Sequence, residues 1–222
     1  WGLAQGFPVV LGRDELMKGR GLTKAESEAE GTGVRMQRED KQAFEVALEE
    51  ISMAQEDGMR FMTQVHVNGP HGPYNLEDDY IDEWSDREQY ERYIEEYGED
   101  FGYSRAEQRQ FMLDDAEFTK FTSDLYHGRI RATDDMLRDF IPRVLETSPN
   151  TIFFITADHG QQFLENGRET FHGSTGSPYH ELLPVPLICY WPRKKQGKRV
   201  SPRWMWAAIF PTLVSLLDLK PA

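Results

Sequence analysis

An aspartate and a histidine stand side by side where an apolar run of the chain ends. Asp158 and His159 follow the run Thr151–Ala157 and precede Gly160. A carboxylate and an imidazole offer a hard oxygen and a borderline nitrogen to a divalent cation. In open α/β sheets, ligands and catalytic groups collect just beyond the carboxyl ends of the strands. The pair is therefore a candidate metal site. The alternative is that Asp158 caps a helix beside an incidental histidine.

Two further histidines stand next to glycine. His71 lies in the Gly- and Pro-rich turn Asn68–Tyr74, directly after the apolar run Met59–Val67, and His172 precedes a glycine in a long loop. Neutral imidazoles can ligate a metal, bind an oxyanion or transfer protons near neutral pH. Alternatively, His71 bonds to its own turn and His172 is a surface histidine. With Asp158 they would form half of a site for metal-assisted phosphoryl or sulfuryl transfer.

The remaining histidines give weaker indications of function. His66 lies within an apolar run, which favours a core position, and His127 lies in the middle of a helical pattern. His180 stands in the same loop as His172 and gives little indication of a role.

The spacing of apolar residues predicts the elements that would position these side chains. The pattern predicts short surface helices over the acidic stretch Glu77–Glu117 and an irregular stretch over residues 1–37. Pro211 indicates a kink or a late start in the last helix. Longer helices are predicted over residues 38–55, 111–146 and 204–217, and buried strands over residues 59–67, 151–156 and 182–191. This alternation favours an α/β fold with a mostly parallel sheet covered by helices on both faces.

Composition excludes several classes of protein. The chain has 222 residues, 39% hydrophobic and 28% charged, which is typical of a globular domain. A net charge of −13 argues against a nucleic-acid partner. No apolar run approaches the roughly 20 residues of a membrane helix. Cys189 is the single cysteine, so no internal disulfide can form and the compartment stays open. Its apolar neighbours predict that it is buried.

Five segments, in order, resemble motifs of the sulfatase family in the alkaline phosphatase superfamily. Arg60–Tyr74 is similar to the family's strand followed by P-H-x-P-Y, and Thr151–Gly160 to its T-hydrophobic-S-D-H-G motif, with Ala157 in place of the usual serine. The other three segments are Tyr126 with Asp134, Leu183–Ile188, and Ile209–Leu213, which is preceded by Ala208 where the family has aspartate. The resemblance covers roughly residues 38–221.

The resemblance implies a fold and roles for the site residues. The fold would be alkaline-phosphatase-like, and Asp158 and His159 would bind the active-site cation. In sulfatases this cation is usually calcium; in the related phosphoethanolamine and phosphoglycerol transferases it is zinc or manganese. His71 would contact the sulfate or phosphate group. His172 stands where sulfatases often have a lysine and the transferases a histidine, so both histidines are candidate catalytic and substrate-binding residues.

The nucleophile of the family has no counterpart here. It is the cysteine of a C-x-P-x-R motif, converted to formylglycine, or a serine or threonine. Nothing in residues 1–60 matches, and Cys189 lacks the motif. We therefore expect residues 1–222 to be a partial catalytic domain with an acidic helical insertion at about 77–117. The nucleophile would lie upstream of Trp1, and the segment alone would be inactive.

The resemblance predicts a metal-dependent, arylsulfatase-like hydrolase acting on a small-molecule or glycan sulfate ester. Two alternatives stay open. One is a transferase or phosphodiesterase of the same superfamily, acting on phosphate esters. The other is a non-catalytic module that binds a metal, a glycan or a protein, for which the missing nucleophile is the argument. Upstream sequence, including any membrane helix, would discriminate among them.

Overall fold

The computed structural model describes residues 32–98, 105–165, 170–171, 180–192, 197–200 and 205–216. The chain forms two compact units, Trp1–Trp191 and Pro192–Ala222. The helices described in the first unit are α1 Thr32–Glu56, α2 Asp78–Trp84, α3 Arg87–Tyr97, α4 Arg105–Asp114 and α5 Ala116–Thr147. Its strands are β1 Phe153–Thr156, β2 Gln162–Phe163, β3 Thr170–Phe171 and β4 Leu187–Tyr190, with a 3₁₀ turn at His180–Leu182.

Helices α1 and α5 pack through the apolar faces that their sequences predict. The rings of Phe44 and Phe140 lie 4.9 Å apart between centroids. The buried cluster at this contact consists of Phe44, Ala47, Leu48, Ile51, Met136, Phe140 and Val144. The prediction of an irregular stretch up to residue 37 is wrong for residues 32–37, which are helical. Gly33 and Gln37 face other parts of the chain and are buried, so tertiary contact extends the helix.

The acidic stretch forms helices, as predicted, and these carry an aromatic core of their own. Aspartates begin two of the helices: Asp86 accepts from the amide of Gln89 at the start of α3, and Asp115 caps α5. Beneath the charged surface lies a cluster of buried residues: Tyr74, Leu76, Ile81, Tyr93, Met112, Phe118, Phe121 and Leu125. Acidic composition therefore describes only the outer face of this part of the chain.

The strand predicted over residues 59–67 does not form. This segment has no ladder hydrogen bonds; Met59 and Met62 are exposed, while Phe61 and Val65 pack against the α1–α5 cluster. The apolar side chains on one side of an extended segment can be buried against helices, so the segment does not need a strand partner. In the described part of the chain both ladders are antiparallel, β1 with β4 and β2 with β3, so the expected parallel pairing is not seen there.

The predicted burial of β1 and β4 also needs correction. β1 is only half-buried, and β4 is exposed along its length, including Cys189, which was expected in the core. β4 pairs only with β1 among the described strands, so it behaves as an edge strand. Pro184 and Pro186 precede β4, where the lost N–H donors do not interrupt the ladder.

In the second unit, a 3₁₀ turn at Trp206–Ala208 leads into α6, Ile209–Leu216. Pro211 lies in the first turn of α6, where its missing N–H is not needed. The late helix start is therefore confirmed. Among the described residues, no helix has the length and apolar character needed to cross a membrane.

Candidate functional site

Asp158 and His159 form a tight turn directly after β1. The carboxylate Oδ1 of Asp158 accepts a hydrogen bond from the backbone N–H of His159 at 3.0 Å. The ring Nδ1 of His159 lies 2.7 Å from the carbonyl oxygen of Gly160, so Nδ1 carries the proton and donates it. The acceptor lone pair of the ring is then on Nε2, which lies 3.8 Å from Oδ2 of Asp158. The two potential ligand atoms are thus on the same side of the turn.

A close backbone approach requires glycine at position 160. The amide of Gly160 donates to the carbonyl of Leu182 at 2.9 Å. A Cβ atom at this position would lie 2.1 Å from the carbonyl oxygen of Glu181. The amide of the buried Gln162 side chain donates to the Glu181 carboxylate at 3.3 Å. The Asp158–His159 turn is therefore packed directly onto the 3₁₀ turn that precedes β4.

His71 lies at an exposed position in the turn after residues 59–67. Its ring Nδ1 is 2.5 Å from the carbonyl oxygen of Gly72, so the lone pair again lies on Nε2. Both peptide bonds that precede proline in this turn, Gly69–Pro70 and Gly72–Pro73, are cis. His71 therefore bonds to its own turn, as the alternative to a functional role described, and the same bond sets the tautomer that a ligand or base needs.

An aromatic cluster joins the two turns. Tyr74, close to His71 in sequence, packs edge-on against Tyr126 of α5 with ring centroids 5.8 Å apart. Phe163, shortly after His159, lies 5.2 Å from Tyr126 and 6.1 Å from Tyr74. Burial raises the pKa of both tyrosines, so their hydroxyls stay protonated at neutral pH. The chain thus anchors both candidate turns on one part of α5.

Sequence reasoning missed two buried ionisable residues beneath the His71 turn. Asp40 of α1 and Arg129 of α5 are each 1% exposed. Asp40 accepts hydrogen bonds from Asn68 and Gly69, and Arg129 donates to the carbonyl of Gly33 at 2.9 Å. The signal was present: both residues fall on the buried faces of their helices, where an ionisable side chain is rare unless hydrogen bonds or opposite charges stabilise it.

The other predicted histidines have different outcomes. His172 lies outside the described residues. The core position expected for His66 is wrong, because the residue is exposed. The structural role expected for His127 is supported, since its ring stacks 5.9 Å from Trp84 and its Nδ1 lies 2.7 Å from the Ser123 carbonyl. His180 is exposed in the 3₁₀ turn.

Two potential ligands are fewer than a metal site normally needs. Within the described part of the chain, no group of three or more His, Cys, Asp or Glu side chains could hold a metal ion. Asp158 and His159 thus constitute a pair of donors rather than a full coordination sphere.

The comparisons with known proteins gave one match. The profile of the Sulfatase family matches residues 4–219, which is nearly the full length of the chain. The matched range contains both candidate turns, with Asp158, His159 and His71, and also His172. No curated protein and no solved structure matched significantly.

Proposed function

The chain belongs to the sulfatase family, and we propose that the complete protein is a metal-dependent, arylsulfatase-like hydrolase of sulfate esters. Asp158 and His159 would hold the cation, and His71 and His172 would contact the ester group. The observation that carries this proposal is the turn after β1. There a carboxylate oxygen and an imidazole Nε2 lie 3.8 Å apart, with the ring oriented by the Gly160 carbonyl.

The geometry of this pair fits a shared cation. Oxygen and nitrogen ligands lie about 2.0–2.2 Å from zinc, so two ligands of one tetrahedral ion are roughly 3.4 Å apart. Small rotations of Asp158 and His159 would close the observed 3.8 Å to that value. Asp158 is largely exposed, so this movement is not hindered by packing. Calcium is the first expectation for a sulfatase, although it prefers oxygen ligands. Because His159 supplies a nitrogen ligand, zinc and manganese are also candidates.

A divalent cation at this turn would polarise the ester oxygens and activate the nucleophile. The protein's own residues would do the remaining work. His71, whose lone pair is on Nε2, would bind the transferring group and, once protonated there, donate a proton to the leaving oxygen. His172 would stabilise negative charge on the transferring group. The nucleophile is not assigned to any residue of this chain, because the sequence contains no C-x-P-x-R motif.

The test is to replace Asp158 by alanine in the complete protein. We expect turnover of an aryl sulfate to fall by roughly two orders of magnitude or more, together with loss of bound metal. Asp57→Ala, in the exposed turn after α1, is the control and should retain both properties. Unchanged metal content and turnover in Asp158→Ala would show that the assignment is wrong. Reconstitution of the chelated protein with calcium, manganese or zinc would identify the metal.

A phosphate ester is the second candidate substrate, favoured by histidine rather than lysine at position 172. Parallel assays with an aryl sulfate, an aryl phosphate and a phosphodiester would distinguish the two. The non-catalytic alternative predicts that the complete protein binds a cation but turns over none of these esters. Hydrolysis by the purified 222-residue chain would instead place a nucleophile within these residues.

A further inference from the structure

The turn that carries His71 is held at its start by a single buried carboxylate. Asp40 is 1% exposed. Its Oδ1 accepts from the backbone N–H of Asn68 at 2.7 Å and from the Asn68 side-chain amide at 3.1 Å. Its Oδ2 accepts from the backbone N–H of Gly69 at 2.8 Å. Three donors converge on one carboxylate, and such charge-assisted bonds are about twice as strong as neutral ones.

The far end of the turn is held by the same face of α1. The side-chain amide of Gln37 donates to the backbone carbonyl of Asn75 at 3.0 Å, and Lys41 forms an ion pair with Glu77 at 2.7 Å. Residues 40 and 41 lie three and four positions after residue 37, so both are its neighbours on the helix surface. One helix face therefore fixes both ends of the segment Asn68–Glu77, and His71 lies between the fixed points.

Opposing effects act on the ionisation of the buried Asp40 carboxyl. Burial raises the pKa of Asp40 above its ordinary value; the hydrogen bonds from Asn68 and Gly69 and the charge of Arg129 lower it but do not outweigh burial. Burial lowers the pKa of Arg129 only to about 10, so the guanidinium is charged at neutral pH. Gly69 permits the close approach: a Cβ there would lie 2.5 Å from the Thr133 hydroxyl and 3.3 Å from Oδ2 of Asp40.

We propose that Asp40 is a positioning residue for His71, acting through the backbone of Asn68 and Gly69. This inference rests on the proposed function, in which His71 contacts the transferring group. A carboxylate that fixes the start of the turn would hold the imidazole in its reactive orientation before the ester binds. Such pre-organisation lowers the barrier of the chemical step more than it strengthens binding of the ground state.

The first experiment measures amide hydrogen exchange in Asp40→Asn, made in the complete protein. The substitution keeps the shape but directs an NH₂ group at one or more of the three donors. We expect the amides of Asn68 and Gly69 to exchange at least roughly tenfold faster, because a strong hydrogen bond is lost. Glu49→Gln, at an exposed position of the same helix, is the matched control and should leave both amides unchanged. Unchanged exchange in Asp40→Asn would overturn the proposal.

The second experiment tests whether Asp40 acts through His71. Asp40→Asn should lower kcat roughly 10–100-fold with a smaller effect on KM. In a His71→Ala background the same substitution should have no further effect on kcat, because there is no imidazole left to position. An equal loss in both backgrounds would overturn the proposal. Exchange at Asn68 and Gly69 needs no substrate, so failure of this inference is distinguishable from failure of the proposed function.

A milder variant allows the proposal to be tested if Asp40→Asn does not fold. Asn68→Ala removes only the 3.1 Å side-chain bond and keeps both backbone donors. Exchange of the Gly69 amide should rise several-fold, and kcat should fall less than in Asp40→Asn. If neither quantity changes, the carboxylate does not control the turn.

Discussion

The ring of Tyr74 lies 6.1 Å from the ring of Phe163, and this contact joins the two turns that carry the candidate site residues. Tyr74 ends the turn of His71, and Phe163 follows the turn of Asp158 and His159. The two aromatic residues are far apart in sequence but meet on the same residue of α5, Tyr126. The two turns are therefore connected through packed aromatic side chains.

A double-mutant cycle on this contact should show coupling. Tyr74→Leu and Phe163→Leu each remove one ring of the pair, and the double variant removes both. Since aromatic pairs contribute about 0.5–1.5 kcal/mol beyond the area they bury, we expect a coupling energy of that size in the free energy of unfolding. The measurement is urea denaturation of the four proteins.

The control cycle combines Tyr74→Leu with Phe44→Leu. Phe44 belongs to the other buried cluster, between α1 and α5. Effects of residues without shared contacts add to within about 0.5 kcal/mol. Additivity in the Tyr74–Phe163 cycle as well would mean that the contact does not couple the turns.

Gly160→Ala should disrupt the turn of Asp158 and His159. The added Cβ would lie 2.1 Å from the Glu181 carbonyl oxygen and 3.2 Å from the Leu182 Cα, both backbone atoms. These atoms cannot move without displacing the 3₁₀ turn. We therefore expect the free energy of unfolding to fall by about 1–3 kcal/mol. Thermal and urea unfolding would measure this loss.

Gly197→Ala is the matched control for that substitution. A Cβ atom at Gly197 would meet nothing within 4 Å. Its effect on stability should stay within about 0.5 kcal/mol. If Gly160→Ala were equally harmless, the close approach of the two turns would not exist in the folded protein.

Arg129→Met should destabilise the protein more strongly as the pH rises. Burial raises the pKa of Asp40 above its ordinary value of 3.8, and the hydrogen bonds of Asn68 and Gly69 and the charge of Arg129 oppose that rise. Without the guanidinium, the pKa of Asp40 in the folded protein rises further. A raised carboxyl pKa contributes stability that is present below the unfolded pKa and is lost as pH rises through the folded pKa.

The stability difference between wild type and Arg129→Met should therefore be small near pH 4 and largest at pH 7. At neutral pH it should reach about 1–3 kcal/mol, because the buried carboxylate loses the favourable charge of Arg129 and the carbonyl of Gly33 loses its hydrogen bond. Urea denaturation at several pH values measures it. In an Asp40→Asn background the pH dependence of this difference should disappear, because no carboxylate remains at position 40. A difference that stayed constant or shrank with pH would show that the charge of Arg129 does not stabilise the ionised form of Asp40.

Local pattern by itself determined the helices and the candidate residues. The apolar faces of α1 and α5 follow from a 3.6-residue period, which is a property of consecutive residues. The short motifs around His71 and Asp158 were likewise readable without a structure, and the family match agrees with the resemblance they carry. The helical period and the short motifs are each set by residues that are close together in the sequence, so both can be found without knowledge of the fold.

Tertiary structure alone decided the pairing of distant groups. Asp40 and Asn68 are 28 residues apart, and Arg129 and Gly33 are 96 apart, so no local pattern connects them. Strand partners are equally non-local, which is why the run at residues 59–67 could be predicted as a strand and yet form none. For the same reason the exposure of β4 was missed. Whether an apolar run is buried depends on the elements that pack against it, and the residues of the run do not specify those elements.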